Sequence, residues 1–176
     1  MPSHANRSSS VAGRISLCAM MAVVSLLFSY VEVILPFQSP VPGIKLGLAN
    51  LVVLVALFRL DAKEAFVISL LRVLLAGILF AGAYSMLYSL AGSVLSFAGM
   101  LLLKKSGLFS MIGVSMAGGV LHNLGQILVA AVMMSGTAIF YYLPVLTLSG
   151  MLCGIIVGIG AHILIRRIPE KLFPVS

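Results

Sequence analysis

Six long apolar segments, separated by short polar or charged joints, make up most of the chain. They cover residues 15–35, 45–60, 63–82, 85–103, 109–134 and 140–165. A helix needs about 20 apolar residues to cross the hydrocarbon core of a bilayer. Backbone groups in lipid must be satisfied internally, and the segments lack the alternating pattern of a barrel strand. The pattern therefore predicts six transmembrane helices, of which the second is short and the fifth long, so that their tilts differ or one end breaks the helix.

The composition supports an integral membrane protein. Hydrophobic residues make up 61% of the 176 residues and charged residues only 9%, whereas soluble domains carry roughly 25% charged residues. The formal net charge of +7 would by itself suggest a nucleic-acid partner. We exclude that class, because the basic residues fall at the ends of the apolar segments, where they indicate membrane topology.

Basic residues occupy the joints on one side only. They are Arg7, Arg14, Arg59, Lys63, Lys104, Lys105, Arg166, Arg167 and Lys171. The joints around 80–86 and 134–140 carry no charge, and only the proline-rich loop 36–45 departs from the pattern, with Lys45. Because cytoplasmic loops are enriched in Lys and Arg, both termini are predicted to be cytoplasmic in a plasma-membrane protein. We expect a disordered cytoplasmic tail over residues 1–14, a membrane domain over 15–167 and a second cytoplasmic tail over 168–176.

The fifth segment carries a stripe of small and polar residues. Its members, spaced by four, three, four and four residues, are Ser115, Gly119, His122, Gln126 and Ala130. Steps of this size place them on one helix face, with Asn123 beside them. Polar side chains in a membrane helix face the bundle interior or a water-filled cavity. The stripe predicts either hydrogen bonds between helices or the lining of a ligand site.

Arg72 lies close to the middle of the third segment, where a charge costs at least ~3 kcal/mol on insertion scales. It either reaches toward the cytoplasm, bonds helix-end carbonyls, or meets a partner or ligand. Glu32 is a candidate partner for Arg72 or Lys45. The arginine fork suits a carboxylate or a phosphate. Lys45, at the predicted start of the second helix, either attracts an anion there or anchors the helix at the interface.

Small residues recur at helical spacing on three further segments. The stripes are Cys18, Ala22, Ser25 and Ser29 on the first, Ser85, Ser89, Gly92, Ser96 and Gly99 on the fourth, and Gly150, Gly154 and Gly158 on the sixth. Such stripes let helices approach closely. They serve packing within the bundle or the docking of a partner membrane protein.

Catalytic and metal-binding signatures are missing from the sequence. Asp61 is the single aspartate, so a carboxylate-rich cage for Mg²⁺ cannot be built. There is no glycine-rich phosphate loop and no defensible Ser–His–Asp or Cys–His arrangement. Cys18 and Cys153 lie in apolar stretches without metal-ligand spacing. We therefore expect no metal, no cofactor and no autonomous enzyme activity.

Two stretches carry a family resemblance, "VPGIKLGLANLVVL" at 41–54 and "GGVLHNLGQILVA" at 118–130. Together they resemble the Gx transporter family, also labelled heptaprenyl diphosphate synthase component I, over about residues 15–167. That family is similar to the substrate-binding S components of energy-coupling-factor (ECF) vitamin transporters. The resemblance implies a six-helix bundle that captures a small vitamin or an isoprenoid- or quinone-related precursor. It would deliver this cargo together with an ECF coupling subunit and ATPases.

The resemblance also implies which residues bind. An S-component pocket lies near the outer side under the first loop, which makes Lys45, Asn50 and the fifth-helix residues candidates. We expect His122, Asn123 and Gln126 to supply polar recognition. Lys45 and Arg72 would attract an anionic or carbonyl-bearing group, and Tyr84 or Tyr88 would stack on a ring. The stripe Cys18, Ala22, Ser25 and Ser29 would dock on the coupling subunit, although the strict Ala-x-x-x-Ala form is absent.

Two other functions remain open on the sequence. One is a non-catalytic membrane accessory subunit of a heptaprenyl diphosphate synthase, which predicts co-purification with a soluble, Asp-rich synthase. The other is a small membrane assembly protein without a ligand. In each case the lipid bilayer is the surrounding partner.

Overall fold

The computed structural model describes residues 4–34, 47–134, 137–169 and 173. Within these residues the chain forms helices and no strand. The helices are α1 His4–Ile34, α2 Leu48–Arg59, α3 Ala62–Ala76, α4 Ala83–Ser106, α5 Met111–Met134 and α6 Leu143–Arg167. A π-helical turn, Gly77–Ala81, extends α3, and a 3₁₀ turn, Thr137–Tyr142, precedes α6. The predicted all-helical fold is confirmed.

Five of the described helical segments are long and apolar enough to cross a membrane. They are Val11–Ile34, Ala62–Ala81, Ala83–Ser106, Met111–Met133 and Ile139–Arg167. Helix α2 has 12 residues, which span about 18 Å at 1.5 Å per residue, against a hydrocarbon core of about 30 Å. The chain is therefore a multi-pass membrane protein with five helices of spanning length, and the sixth crossing stays a prediction.

Helix α2 is short, apolar all round and enclosed by α1, α3 and α6. Its residues 52–57 are each at most 6% exposed. A helix without a polar face is stable only where neighbours cover it on all sides. Helix α2 therefore forms the centre of the core, and its amino-terminal end, at Gly47 and Leu48, lies inside the bundle beside the cavity described below.

Helix α1 begins at His4, within the segment 1–14 that the sequence assigned to a disordered tail. Arg14, the last residue of that segment, forms two ion pairs. Arg14 Nη2 lies 2.5 Å from Asp61 Oδ2, and Arg14 Nε donates to Glu64 Oε1 at 2.8 Å. The same two carboxylate residues form a capping box at the start of α3. Arg14 therefore joins α1 to the α2–α3 turn, a contact that local sequence pattern does not reveal.

Basic side chains tie further helix ends together at this end of the bundle. Arg59 Nη2 donates to the Ile165 carbonyl at 2.7 Å, and its guanidinium lies 5.6 Å from the ring centroid of Phe173. Lys104 Nζ donates to the Leu57 carbonyl at 2.5 Å. The described basic joints therefore lie at one end of the bundle, as their sequence positions predicted. The side of the membrane that this end faces stays a prediction.

Candidate functional site

A cavity of about 80 Å³ lies inside the bundle, and every one of the six helices lines it. Its polar lining includes Glu32 from α1, Asn50 from α2, Arg72 from α3, Ser89 from α4, His122 from α5 and Cys153 from α6. A single water needs roughly 10–15 Å³ when volume is measured in this way. The cavity therefore has room for several waters or for a small solute.

Glu32 lies where α1 ends and α2 begins. Its Oε1 accepts the backbone N–H of Leu48 at 2.6 Å, so the carboxylate caps the amino terminus of α2. The first N–H groups of a helix have no acceptor within the helix, and they favour a negative charge. Glu32 therefore places a fixed carboxylate at the cavity. In the sequence it was considered only as an ion-pair partner for Arg72 or Lys45.

Arg72 is 9% exposed and lines the cavity. Its Nη2 donates to Asn50 Oδ1 at 3.0 Å and, more weakly, to Ser93 Oγ at 3.4 Å. Its Nε is buried and has no hydrogen-bond partner among the described residues. The side chain therefore stays inside the bundle, rather than reaching toward an interface, and contacts polar groups of α2 and α4.

The polar stripe of α5 faces this cavity. Ser115 and Gln126 are 4% and 8% exposed, and both line it together with His122. The backbone and ring of His122 pack against Gly92 of α4, where an added Cβ would lie 2.8 Å from the His122 carbonyl oxygen. The absence of a side chain at position 92 thus lets His122 sit between α4 and α5. The stripe serves both helix packing and the cavity lining that the sequence left as alternatives.

Asn123 lines the cavity, and its side-chain nitrogen donates a hydrogen bond to α6. Its Nδ2 donates to the Leu146 carbonyl at 2.6 Å and lies 3.4 Å from Ser149 Oγ. The Ser149 hydroxyl donates to the same carbonyl at 2.9 Å. Asn123 therefore clasps α5 to α6, and its side-chain oxygen is the atom left for the recognition predicted from the sequence.

We expect Asn123→Ala to lower the free energy of unfolding by about 1 kcal/mol, the usual size of a hydrogen bond between membrane helices. Titration of the purified protein with sodium dodecyl sulfate, followed by circular dichroism, measures this loss. Ser149→Ala is the matched control, because it removes a hydroxyl from the same cluster and leaves the Asn123–Leu146 bond in place. An Asn123→Ala variant as stable as the wild type would show that the clasp contributes nothing.

The two predicted tyrosines, Tyr84 and Tyr88, lie outside the cavity lining. Tyr84 is 70% exposed. Both tyrosines lie in the first two turns of α4. The sequence pattern alone does not show which side of the helix faces the cavity. Their stacking on a bound ring stays a prediction. Lys45 lies outside the described residues.

Several residues at the cavity were not predicted as binding residues from the sequence, among them Ser89, Ser93 and Cys153. Ser89 and Cys153 belong to the lining, and Ser93, 7% exposed, contacts Arg72. Ser85, Ser89 and Ser93 recur every four residues on α4, a spacing that marks one helix face. This spacing could have indicated a polar face, but the stripe predicted on this segment, which includes Ser85 and Ser89, was interpreted as a surface for packing or for docking a partner.

The small-residue stripe of α1 is buried within the molecule rather than presented to a partner. Ala22, Ser25 and Ser29 are 5%, 0% and 8% exposed, and Cys18 packs against the core cluster. The Ser25 hydroxyl donates to the Ala49 carbonyl of α2 at 3.0 Å. The small side chains of the predicted docking face thus bring α2 close to α1 in this structure, and the docking of a coupling subunit on this stripe stays a prediction.

The exposed face of α1 is apolar. Its large exposed side chains include Ile15, Met20, Val23, Leu27 and Ile34. In a multi-pass protein such a face lies against lipid. No group of three or more His, Cys, Asp or Glu side chains that could hold a metal ion occurs among the residues that the structure describes.

Comparison with known proteins gives one family. A family model described as heptaprenyl diphosphate synthase component I matches residues 20–164. No curated protein and no solved structure matches the chain. The match begins within α1 and ends within α6, so it covers α2 to α5 completely and every described residue that lines the cavity. The chain belongs to the heptaprenyl diphosphate synthase component I family.

Proposed function

We propose that the chain is the substrate-binding subunit of an ECF-type transporter, which takes a small vitamin or an isoprenoid- or quinone-related precursor into its cavity. The observation that carries this proposal is the polar cavity lined by all six helices of an otherwise apolar bundle. In this function α2 supplies a sixth, short crossing, both termini are cytoplasmic and the membrane is the plasma membrane. The chain binds and releases a solute and performs no catalytic step of its own.

The energetics of polar groups in a membrane support a binding role. Buried polar side chains are costly in lipid and mark substrate pathways when they converge on one space. Here Asn50, Arg72, His122 and Gln126 come from three helices to one cavity. If these polar side chains served helix packing only, they would bond neighbouring helices, as Asn123 does. An open space between them would not be needed.

The position of α2 also supports a binding role. In transporters, interrupted helices end beside the substrate near the middle of the membrane, and their terminal backbone groups contribute to the site. Helix α2 has 12 residues and begins at the cavity, where Gly47 and Asn50 are lining residues. A helix this short leaves its amino-terminal turn inside the bundle, which is the arrangement that such sites use.

The second candidate is a non-catalytic membrane subunit of a heptaprenyl diphosphate synthase. The family description favours it, because a component I implies a partner component. Exposed basic side chains at one end of the bundle, among them Lys63, Lys105, Arg166 and Arg167, would face an Asp-rich soluble synthase. In that case the partner carries the catalytic residues and this chain holds it at the membrane.

Purification of the full chain from its native membrane in lipid nanodiscs separates the two functions. We expect a bound small molecule, detected by mass spectrometry after extraction, and a coupling subunit with ATPases among the co-purified proteins. Arg72→Gln removes a cation from the cavity and is expected to lose the small molecule. Arg166→Gln removes an exposed cation outside the lining and is expected to retain it.

Two outcomes would contradict this expectation. A synthase as the only partner, with no small molecule retained in the wild type, would contradict the transporter function and favour the accessory subunit. Retention of the same compound by Arg72→Gln and by the wild type would place the binding site outside this cavity.

A further inference from the structure

The guanidinium of Arg72 has no charged partner among the residues that the structure describes. The ion pairs found among those residues are those that Arg14 forms with Asp61 and Glu64. Both hydrogen bonds of the guanidinium leave from one nitrogen, Nη2, toward the neutral groups of Asn50 and Ser93. Among the described residues, this cation, which is 91% buried in a membrane bundle, is thus held by neutral oxygens.

Part of the hydrogen-bonding capacity of this guanidinium is unused among the residues that the structure describes. Arginine carries five N–H donors in a rigid planar fork, and Nε is buried without a hydrogen-bond partner among the described residues. The fork matches a carboxylate, which accepts two parallel hydrogen bonds. Asn50 and Ser93, from α2 and α4, hold Nη2 and so fix the plane of the fork. They are positioning residues for whatever anion meets Arg72.

The charge of the cavity restricts that anion. Among the described residues, the charged side chains in the lining are Arg72 and Glu32, and Glu32 is fixed at the amino terminus of α2. A ligand with one negative charge is neutralised by Arg72. A diphosphate brings several negative charges toward the carboxylate of Glu32, and like charges in a low-dielectric site repel strongly. A cavity of about 80 Å³ also favours a small head group over a long prenyl chain.

We propose that the cavity binds a small compound through a single carboxylate group, which docks on Arg72 while Asn50 and Ser93 hold the guanidinium. This inference rests on the proposed function for the existence of a ligand, and it adds the chemical class of that ligand. Ser89, His122 and Gln126, which line the same cavity, meet the uncharged part of the compound. Among the described charges of the lining, the carboxylate of Glu32 disfavours a prenyl diphosphate beside Arg72.

The chain contains a reporter for this site, because Cys153 lines the cavity and Cys18 does not. In a Cys18→Ala background, iodoacetate and iodoacetamide are used as probes in nanodiscs. Both transfer a two-carbon group to the Cys153 sulfur and release iodide, and they differ in carrying a carboxylate or a neutral amide. The ratio of the two alkylation rates, read by peptide mass spectrometry, cancels any change in the thiolate population.

We expect Arg72→Gln to lower the rate ratio of iodoacetate to iodoacetamide about tenfold, because a charge that focuses anions in a cleft raises their local concentration by roughly 10–10³-fold. Arg72→Lys keeps the charge without the fork and should give an intermediate ratio. Arg166→Gln, the exposed-cation control, should leave the wild-type ratio unchanged. In the wild type, propionate should slow iodoacetate at Cys153 and inorganic phosphate should not.

Three results would overturn the inference. They also distinguish a failure of the carboxylate site from a failure of the proposed function. If the rate ratio of iodoacetate to iodoacetamide is unchanged in both Arg72 variants while iodoacetamide still reacts, Arg72 does not bind a carboxylate. The cavity would then still be open to small solutes. Competition by phosphate rather than propionate assigns the cavity to a different anion. Failure of both reagents at Cys153 in the folded protein, with full alkylation after denaturation, removes the proposed function as well, since the cavity would then admit no small solute.

Discussion

Gly119→Ala is expected to lower the free energy of unfolding by about 3 kcal/mol, at the upper end of the cost of overpacking a well-packed core. A Cβ at position 119 would overlap the carbonyl oxygen of Gly150 and lie 3.0 Å from its carbonyl carbon. A Cβ at Gly150 would in turn lie 2.8 Å from the Gly119 carbonyl oxygen. Because the obstacle is backbone on both sides, no side chain can rotate away, and α5 and α6 would have to separate.

Gly113→Ala, on the same helix, is the matched control for this prediction. There the nearest atom to an added Cβ is Phe109 Cδ1 at 3.5 Å, an ordinary contact. The variant should be as stable as the wild type or gain up to about 1 kcal/mol from the higher helix propensity of alanine. Unfolding by sodium dodecyl sulfate, followed by circular dichroism, measures both. Equal stability of the two variants would mean that α5 and α6 are further apart than the structure shows.

The architecture could be predicted from the sequence because a bilayer permits few solutions. A lipid-embedded backbone must satisfy its own hydrogen bonds, so apolar length alone locates helices, and six helices occur at the six predicted segments. The details that failed depend on tertiary contacts. Residues 4–14 are helical where Arg14 meets Asp61 and Glu64, and those carboxylates are about 50 positions away in the chain.

The site could be predicted in part, for a similar reason. A polar group within an apolar segment must face inward, which placed Arg72, His122 and Gln126 at one interior cavity. Periodicity does not show which neighbouring helix a face contacts. The sequence therefore did not predict that Asn123 donates to α6 or that Ser25 of α1 donates to α2. A small-residue stripe fits a helix of the same chain as well as one from a partner.

Arg72→Met is expected to raise the free energy of unfolding by about 1–2 kcal/mol while it abolishes ligand binding. A buried cation carries a desolvation cost of several kcal/mol, which an apolar side chain of similar size avoids. The loss of two hydrogen bonds, to Asn50 and Ser93, offsets part of the gain. Waters in the cavity can satisfy those two side chains, since it has room for several.

Arg72→Lys is the matched control, because it keeps the buried charge and loses the planar fork. It should show no gain in stability and should weaken ligand binding by about 10–100-fold, the effect of losing 1.5–3 kcal/mol in charged hydrogen bonds. Detergent unfolding measures the stabilities, and mass spectrometry of the retained compound measures binding. If Arg72 had only a structural role, Arg72→Met would clearly lower the free energy of unfolding. A variant that is more stable and empty would instead mean that the protein keeps a costly cation in its core for the sake of the ligand.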